Sequence, residues 1–452
     1  MDTDVIVIGG GVSGLAAGYF LKKKNRSVLL LEKATRIGGS IHTERSNDFL
    51  LEYGPNSTTL SNPAIKELIG ELSIDKNVLF PGANGKKRFI LKNSKLAALP
   101  MSPGDFLFGN FFSVMTKLRI ADEPLLPRGK KDDESVAAFF TRRFGKVITD
   151  TVVRPFVSGI YAGDADQLSA RSTFPSLFET EREYGSIIGG QLKKMLFKKK
   201  TKSSSGSGFG KLFSFDQGMQ ALTNTLAASM GEIVHLGAET LAITKNAEGW
   251  KVQLQQNGMV NHATCRAVVL ATPAYASAEL IKPLSPELAD KLNSVQYAPI
   301  GVVHTAYKRT IVSHPLDGFG FLVPPKENRN ILGCIFSSSL FPNRAPQDSA
   351  LLTTFVGGTT QKEILSGAQE EILRSTNSEL QSILGISGDP VFSRLTTITR
   401  AIPQYNLGHY RIMEAVDSFE KDHPNLFFCN NFRGGVSIAN CVQSARNLAE
   451  TF

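Results

Sequence analysis

Cysteine is scarce in this chain, with four in 452 residues. Cys265, Cys334, Cys429 and Cys441 lie far apart, and no CxxC pair occurs. That excludes a disulfide-stapled scaffold and a cysteine-based zinc module. His42, His235, His262, His304, His314, His409 and His423 show no HxxxH spacing, so no metal site is expected. No GxSxG segment occurs, which removes the serine hydrolase elbow. No run approaches the ~18 apolar residues that a spanning helix needs; the longest, such as Ala267–Ala271, have strand length. A secretory signal is missing too, since Asp2 and Asp4 stand where basic residues belong and Val5–Ile8 is too short a core. Few cysteines and no signal lead to the expectation of a cytoplasmic protein.

Acidic residues are also in deficit: 41 against 50 Lys and Arg, a formal charge of +9. Much of the excess is local, with Lys193, Lys194, Lys198, Lys199, Lys200 and Lys202 close together. Residues 198–210 read as a mobile basic and Ser/Gly-rich loop. No aromatics interleave these lysines and no nucleic-acid fold signature is present, so no nucleic-acid partner is expected. Hydrophobic residues are 42% and charged residues 20%, a globular balance. The length suits two or three domains.

The first 40 residues are the most informative. Val5–Ile8 is a continuous β-branched run, as in a strand buried on both faces. Gly9-Gly10-Gly11-Val12-Ser13-Gly14 follows, then a helical pattern over 14–24 and a second apolar run, Ser27–Leu31, closed by Glu32. This is one βαβ unit carrying GxGxxG. Gly9 permits the tight turn, Gly11 lets the backbone approach a pyrophosphate, and Gly14 allows the helix to pack close. The helix amino end attracts the phosphates, and Glu32 is placed to accept hydrogen bonds from a ribose. Further on, 218–230 reads as helix, 233–257 as a strand meander, 267–272 as a buried strand and 361–385 as helix. Strand-like runs cover 301–307, 320–323 and 351–356, and 425–452 reads as strand, Gly-rich loop and helix.

Arg36-Ile37-Gly38-Gly39 is similar to the RxGG segment of FAD enzymes in the flavin amine oxidase superfamily. Gly434-Gly435-Val436, opening a helix near Ser437, resembles the element that in those enzymes points its amino end at the flavin pyrimidine. Leu51–Ser57, Lys87–Ile90, Arg154–Asp164, Phe174–Glu179, Phe215–Gln220, Phe336–Pro342 and Thr353–Gly358 resemble, in order and spacing, the oxygen-dependent protoporphyrinogen oxidase family.

That resemblance implies an α/β fold with a doubly wound FAD domain built from separate segments, a mixed-sheet substrate domain and a helical insertion. The expected division is 1–85, 211–298 and 401–452 for the FAD domain. Residues 86–210 would form the substrate-side, membrane-facing helical insertion and 299–400 the substrate domain. It implies noncovalent FAD contacts at Gly9, Gly11, Gly14, Glu32, Lys33, Arg36, Gly38, Gly39, Gly54, Pro55, Val234, Thr272, Val436, Ser437 and Ile438. It implies that Arg88 pairs with a substrate propionate, Asn56 lies near the flavin, Gly159 and Leu322 border the porphyrinogen, and Phe336 stacks on a pyrrole. From the residues alone, Arg88 reads first as a surface strand arginine, and Phe336 reads equally as a core aromatic.

The implied reaction is porphyrinogen oxidation in three two-electron cycles, with dioxygen as acceptor and hydrogen peroxide released. Protoporphyrinogen IX is the expected substrate. Coproporphyrinogen III, an amine or carotenoid-type desaturation, and a non-enzymatic porphyrin-binding flavoprotein stay open. No general base is assigned. The family further implies peripheral contact with the inner face of the cytoplasmic membrane, through Phe106–Phe112 and Lys193–Lys202, and leaves room for a homodimer. One departure stands out. Cys429-Asn430-Asn431 replaces a Gly-Asn pair common in the family, a difference expected to shift the backbone beside the flavin.

Overall fold

The computed structural model describes residues 2–197 and 211–452. The expected mobile loop, with Lys198, Lys199, Lys200 and Lys202, lies outside them. Lys193 and Lys194 do not open a loop: both lie in the helix Ile187–Phe197.

The strand Asp2–Ile8, helix Val12–Lys23 and strand Val28–Glu32 form the expected βαβ unit. Its two strands pair in parallel, Val5 opposite Val28 and Ile8 opposite Leu31. Val234–Leu236 joins one edge in parallel, and Met259–Leu270 pairs with Asp2–Ile8 on the other side. Met259–Leu270 is long enough to serve two partners along its far edge. Its first half runs antiparallel to Trp250–Gln256, and its last residues pair in parallel with Leu426–Phe428. The 233–257 region is therefore not a simple meander, because Val234–Leu236 pairs with Val28–Glu32.

Alternation along these strands feeds two cores. Val5, Val7, Leu30, Ala267 and Val269 face helices that include Val12–Lys23, Gln220–Met230 and Ile438–Ala449. Ile6, Ile8, Leu29, Val268 and Leu270 face Ala274–Ile281, Pro286–Asn293 and His409–Asp422. With period-2 side chains buried on both faces, the sheet is doubly wound. The helix Ile438–Ala449 packs on Val12–Lys23, and Lys24 Nζ meets Glu450 Oε2 at 2.6 Å.

A second, 7-stranded sheet runs in the order 392–403, 297–308, 349–357, 333–335, 320–322, 89–92 and 95–98. All its pairs are antiparallel except Gly320–Leu322 with Phe89–Lys92. Phe392–Pro403 runs across the expected boundary at 400, and the hairpin 89–98 belongs to this sheet. One face is covered by the helix Gln369–Leu384 over a core that includes Phe321, Phe336 and Leu380.

The remaining helices, from Pro103 to Phe197, gather around Phe139, Phe140 and Phe178. Inside them Arg143 and Glu123 form an ion pair with both side chains at 0% exposure. Glu123 also accepts from Ser186 Oγ and the Ile187 N–H, fixing the start of the helix Ile187–Phe197. The outer surface of this region is apolar: Phe108, Leu125 and Leu196 are each more than 80% exposed, with Val114, Met115 and Met195 near them in exposure. Among the described residues, no helix is long and apolar enough to cross a membrane.

Candidate active site

Two glycine turns meet at the carboxyl end of the parallel strands. Gly9, at φ +112, donates to Leu31 O at 2.8 Å. A Cβ on Gly14 would lie 1.9 Å from Gly9 O, so the helix sits against the turn as only glycine permits. Gly11 differs, because nothing lies within 4 Å of the place a Cβ would take. Its backbone faces open space at the amino end of the helix Val12–Lys23, whose N-cap has no side-chain partner. Free N–H groups and the dipole there suit an anion. The second turn docks on the first: Gly38 N–H donates to Gly10 O at 2.8 Å. Arg36 holds that turn from outside, with Nη2 on Gly39 O at 2.8 Å and Nη1 on Ile37 O at 3.2 Å. Glu32 accepts from the Gly10 N–H at 2.6 Å and the Ala34 N–H at 2.7 Å.

The loop 429–437 closes the same crevice from the other side. Gly434 and Gly435 take φ +82 and +114, and Ser437 caps the helix Ile438–Ala449 by accepting from the Asn440 N–H. Tyr405 braces the loop from behind. Its hydroxyl donates to Asn431 O at 2.6 Å and accepts from the Gly435 N–H at 3.1 Å. Its ring stacks on His409 at 4.4 Å, and His409 Nε2 reaches Phe432 O at 2.9 Å. Cys429, Asn430 and Asn431 are absent from the positive-φ residues, so the departure from the family pattern needs no glycine here.

Beyond the turns lies the second sheet. Thr396, Val302, Phe355, Gly333, Leu322 and Ile90 are register partners across successive strands, and all line one cavity. The row crosses five strand spacings, roughly 24 Å. Arg88 stands two residues before Ile90 and lines the cavity as well. Its guanidinium lies 4.6 Å from the Phe319 ring centroid. Burial, with no acidic group acting on it, lowers its pKa from the ordinary value, yet arginine stays a cation at neutral pH.

A helical wall faces the row. Ile148, Val152, Phe156, Gly159 and Ile160 line the cavity from a π turn, Thr149–Val153, that passes into the helix Arg154–Tyr161. Pro155 has no N–H to give, and the junction accommodates it. A Cβ on Gly159 would come within 2.3 Å of Leu322 Cδ2, so helix and strand meet closely there.

The cavity is continuous, about 3110 Å³, and joins the glycine turns to the sheet row. Ligand sites commonly run ~300–1,000 Å³, so there is room for a dinucleotide and a large second molecule. Of the expected cofactor contacts, Gly9, Gly11, Glu32, Lys33, Arg36, Gly38, Gly39, Gly54, Pro55, Thr272, Val436, Ser437 and Ile438 line it. So do Arg88, Asn56, Gly159 and Leu322.

Gly14 is a packing glycine and does not reach the cavity. Two expected contacts need correction. Phe336 is 0% exposed and packs beneath the floor, its ring 6.1 Å from Phe321 and 6.5 Å from Phe89. Cavity-lining Ile335 takes its place. Val234 packs toward the first core, whereas Ala238, Glu239 and Thr240 line the cavity. Sequence reading passed over His42 and Tyr405. Burial, then the nearby Arg36 charge, lowers the His42 pKa and favours a neutral ring.

Whether these residues suit a flavin dinucleotide is testable on the cavity wall itself. Asn56 Nδ2, Thr240 Oγ1, Thr359 Oγ1 and Asn430 Oδ1 are buried, line the cavity and have no hydrogen-bond partner. Buried polar atoms are normally paired. Donors and acceptors left open along one cavity, with open space over Gly11, fit a polar cofactor.

The model of the flavin containing amine oxidoreductase family matches residues 12–451. Protoporphyrinogen oxidase 2 of Arabidopsis thaliana is 33% identical, covering 99% of this chain and 93% of that protein. The mitochondrial protoporphyrinogen oxidase of Nicotiana tabacum is also 33% identical, over 99% and 94%. Coproporphyrinogen III oxidase of Bacillus subtilis (strain 168) is 28% identical, over 98% and 96%. Among solved structures, wild-type putrescine oxidase bound to putrescine superposes with TM-score 0.69 at 15% identity, over 100% and 99% of the two chains. The chain belongs to the flavin-containing amine oxidoreductase family, on its protoporphyrinogen oxidase branch.

Proposed function

We propose that this chain oxidises protoporphyrinogen IX to protoporphyrin IX, with noncovalent FAD and with dioxygen as acceptor. The observation that carries the proposal is Arg88, a half-buried cation without an acidic partner, set at the edge of an apolar floor in the cavity that the glycine turns also line. A flat tetrapyrrole with carboxylate arms needs that combination, and arginine offers carboxylate a two-pronged fork. When bound, the flavin supplies two-electron oxidation and passes the electrons to oxygen. The protein's part is to orient and to exclude water. The sheet row supports the macrocycle, the wall from Ile148 to Ile160 covers it, and Arg88 fixes its register. Burial raises the Cys334 thiol to about 12 and raises Cys441 too, so neither cavity-lining cysteine is poised to attach the cofactor. The division at 85, 210, 298 and 400 is part of this proposal, with the hairpin 89–98 and the whole strand Phe392–Pro403 counted in the substrate domain.

A second reading has its own support. Lys86, Lys211 and Lys362 also line the cavity, and further cations suit the four propionates of coproporphyrinogen III. An aerobic assay of both porphyrinogens, following porphyrin fluorescence and oxygen uptake, separates them. Higher kcat/KM for protoporphyrinogen IX supports the proposal, and the reverse supports the second reading. Turnover of neither by flavin-loaded protein refutes both.

The proposal includes peripheral membrane contact. Met101, Phe106 and Phe112 line the cavity, while Leu107 and Phe108 in the helix Pro103–Phe108 and Met115 in the helix Val114–Ala121 are exposed. An apolar rim beside the mouth suits a substrate drawn from a lipid surface. Flotation with anionic vesicles tests this, and a Phe108→Ser variant should float less. Absence of the protein from the lipid fraction refutes it.

A further inference from the structure

Asn430 is a polar side chain that the fold leaves half satisfied. It follows the strand Leu426–Phe428, where Cys429 N–H binds Leu270 O at 3.0 Å. Asn430 is 3% exposed and lines the cavity. Its Nδ2 donates to Leu270 O at 3.4 Å, which fixes the direction the amide faces. Its Oδ1 has no partner. A buried amide oxygen without a donor is costly. The fold could have avoided that cost with an apolar residue, so the missing donor belongs to whatever fills the cavity.

The chemistry of that donor is restricted. Ionised phosphate oxygens only accept, so a pyrophosphate over Gly11 would repel Oδ1. Asn430 stands at the strand ends next to the glycine turns, before the loop reaches Val436 and Ser437. In a flavin dinucleotide, the groups between the pyrophosphate and the ring are the hydroxyls of a sugar-alcohol chain. We infer that Asn430 Oδ1 accepts a hydrogen bond from one of these hydroxyls and so helps to hold the cofactor. Tyr405 supports the arrangement by tying Asn431 O and the Gly435 N–H to one oxygen. The inference rests on the flavin dinucleotide reading of the cavity.

The test is a binding cycle on the full-length apoprotein. FAD, and FAD analogues each lacking one ribityl hydroxyl, are titrated by fluorescence into wild type, Asn430→Ala and Asn430→Leu. The expected Kd for FAD rises about 2- to 12-fold in both variants, the range of one hydrogen bond. One analogue should lose a similar factor in wild type and no further factor in the variants. The apoprotein variants should melt no lower than wild type, because the orphan oxygen is gone. Equal losses for every analogue in all three proteins, or an unchanged Kd for FAD, overturn the role of Asn430 alone. Failure of wild type to bind FAD overturns the cofactor reading and this inference with it. If a variant does not fold, a wild type indifferent to every missing hydroxyl still refutes the inference.

Discussion

Arg88→Met separates what the residue does for the fold from what it does for a ligand. Toward the protein, the side chain contributes its contact over Phe319, at 4.6 Å. Such contacts are worth about 0.5–1 kcal/mol at partly exposed sites. Removing a cation that burial disfavours offsets that loss, so unfolding free energy should change by less than about 1 kcal/mol. Toward the substrate, a charge-assisted hydrogen bond pair is worth about 1.5–3 kcal/mol. That is roughly a 10- to 150-fold fall in kcat/KM. The carboxylate arm is remote from the carbons that react, so ground and transition states should lose equally and KM should carry the change. Arg88→Lys keeps the charge without the fork and should fall between. Initial rates of porphyrin fluorescence and a urea melt on the same preparation measure both sides. Unchanged kcat/KM, or a fall explained by lost stability, refutes the assignment.

Three further predictions concern the scaffold. Glu123→Gln removes the nearer of the two carboxylates that meet buried Arg143 and leaves Glu181 Oε1 at 3.5 Å, so urea titration should show a loss of up to about 3–5 kcal/mol, the range for a buried pair broken outright. Burial raises the Glu52 carboxyl from 4.5 to about 7, against hydrogen bonds from Thr43 and Met219 and the Arg344 charge. The native state thus keeps a proton that the unfolded chain releases, and this group's contribution falls as pH rises between those values. The difference in unfolding free energy between Glu52→Gln and wild type should therefore drift by about 1.4 kcal/mol per pH unit across that window, and a flat difference contradicts it. Gly14→Ala drives a Cβ into Gly9 O, whereas Gly11→Ala meets nothing within 4 Å. The first should lower the apoprotein melting temperature, and the second should leave it unchanged while flavin absorbance is lost.

The cofactor half of the molecule was legible because its signals are local. Strand, glycines, helix and acid lie within residues 5–32, and Gly434-Gly435 announces the closing helix. The substrate half is assembled from distant strands, and there the pattern is weak. Phe392–Pro403 alternates irregularly, with a mix of exposed and half-buried positions, so no clean period marks it. Phe336 and Ile335 are neighbours, and a one-residue choice decides which faces the floor and which the core. Val234 was misplaced for a related reason. The chain turns at Gly237 before Ala238 reaches the cavity, and strand propensity does not show that. Tyr405 gave no motif at all, and its role follows from hydrogen bonds to residues 26 and 30 positions away.

The ion pair between Lys24 and Glu450 joins positions 426 apart, and this sets a clock on biosynthesis. A ribosome adding ~5–20 residues each second needs roughly 20–85 s between making one partner and the other. Throughout that interval the glycine turns exist without the strand Leu426–Phe428 and the helix Ile438–Ala449 that complete their crevice. Completion of the cofactor crevice is therefore a late event in synthesis. Supply of the vitamin during translation would not rescue a folding defect in the first half. A message cut short before codon 426 should yield a colourless product, however much flavin surrounds it.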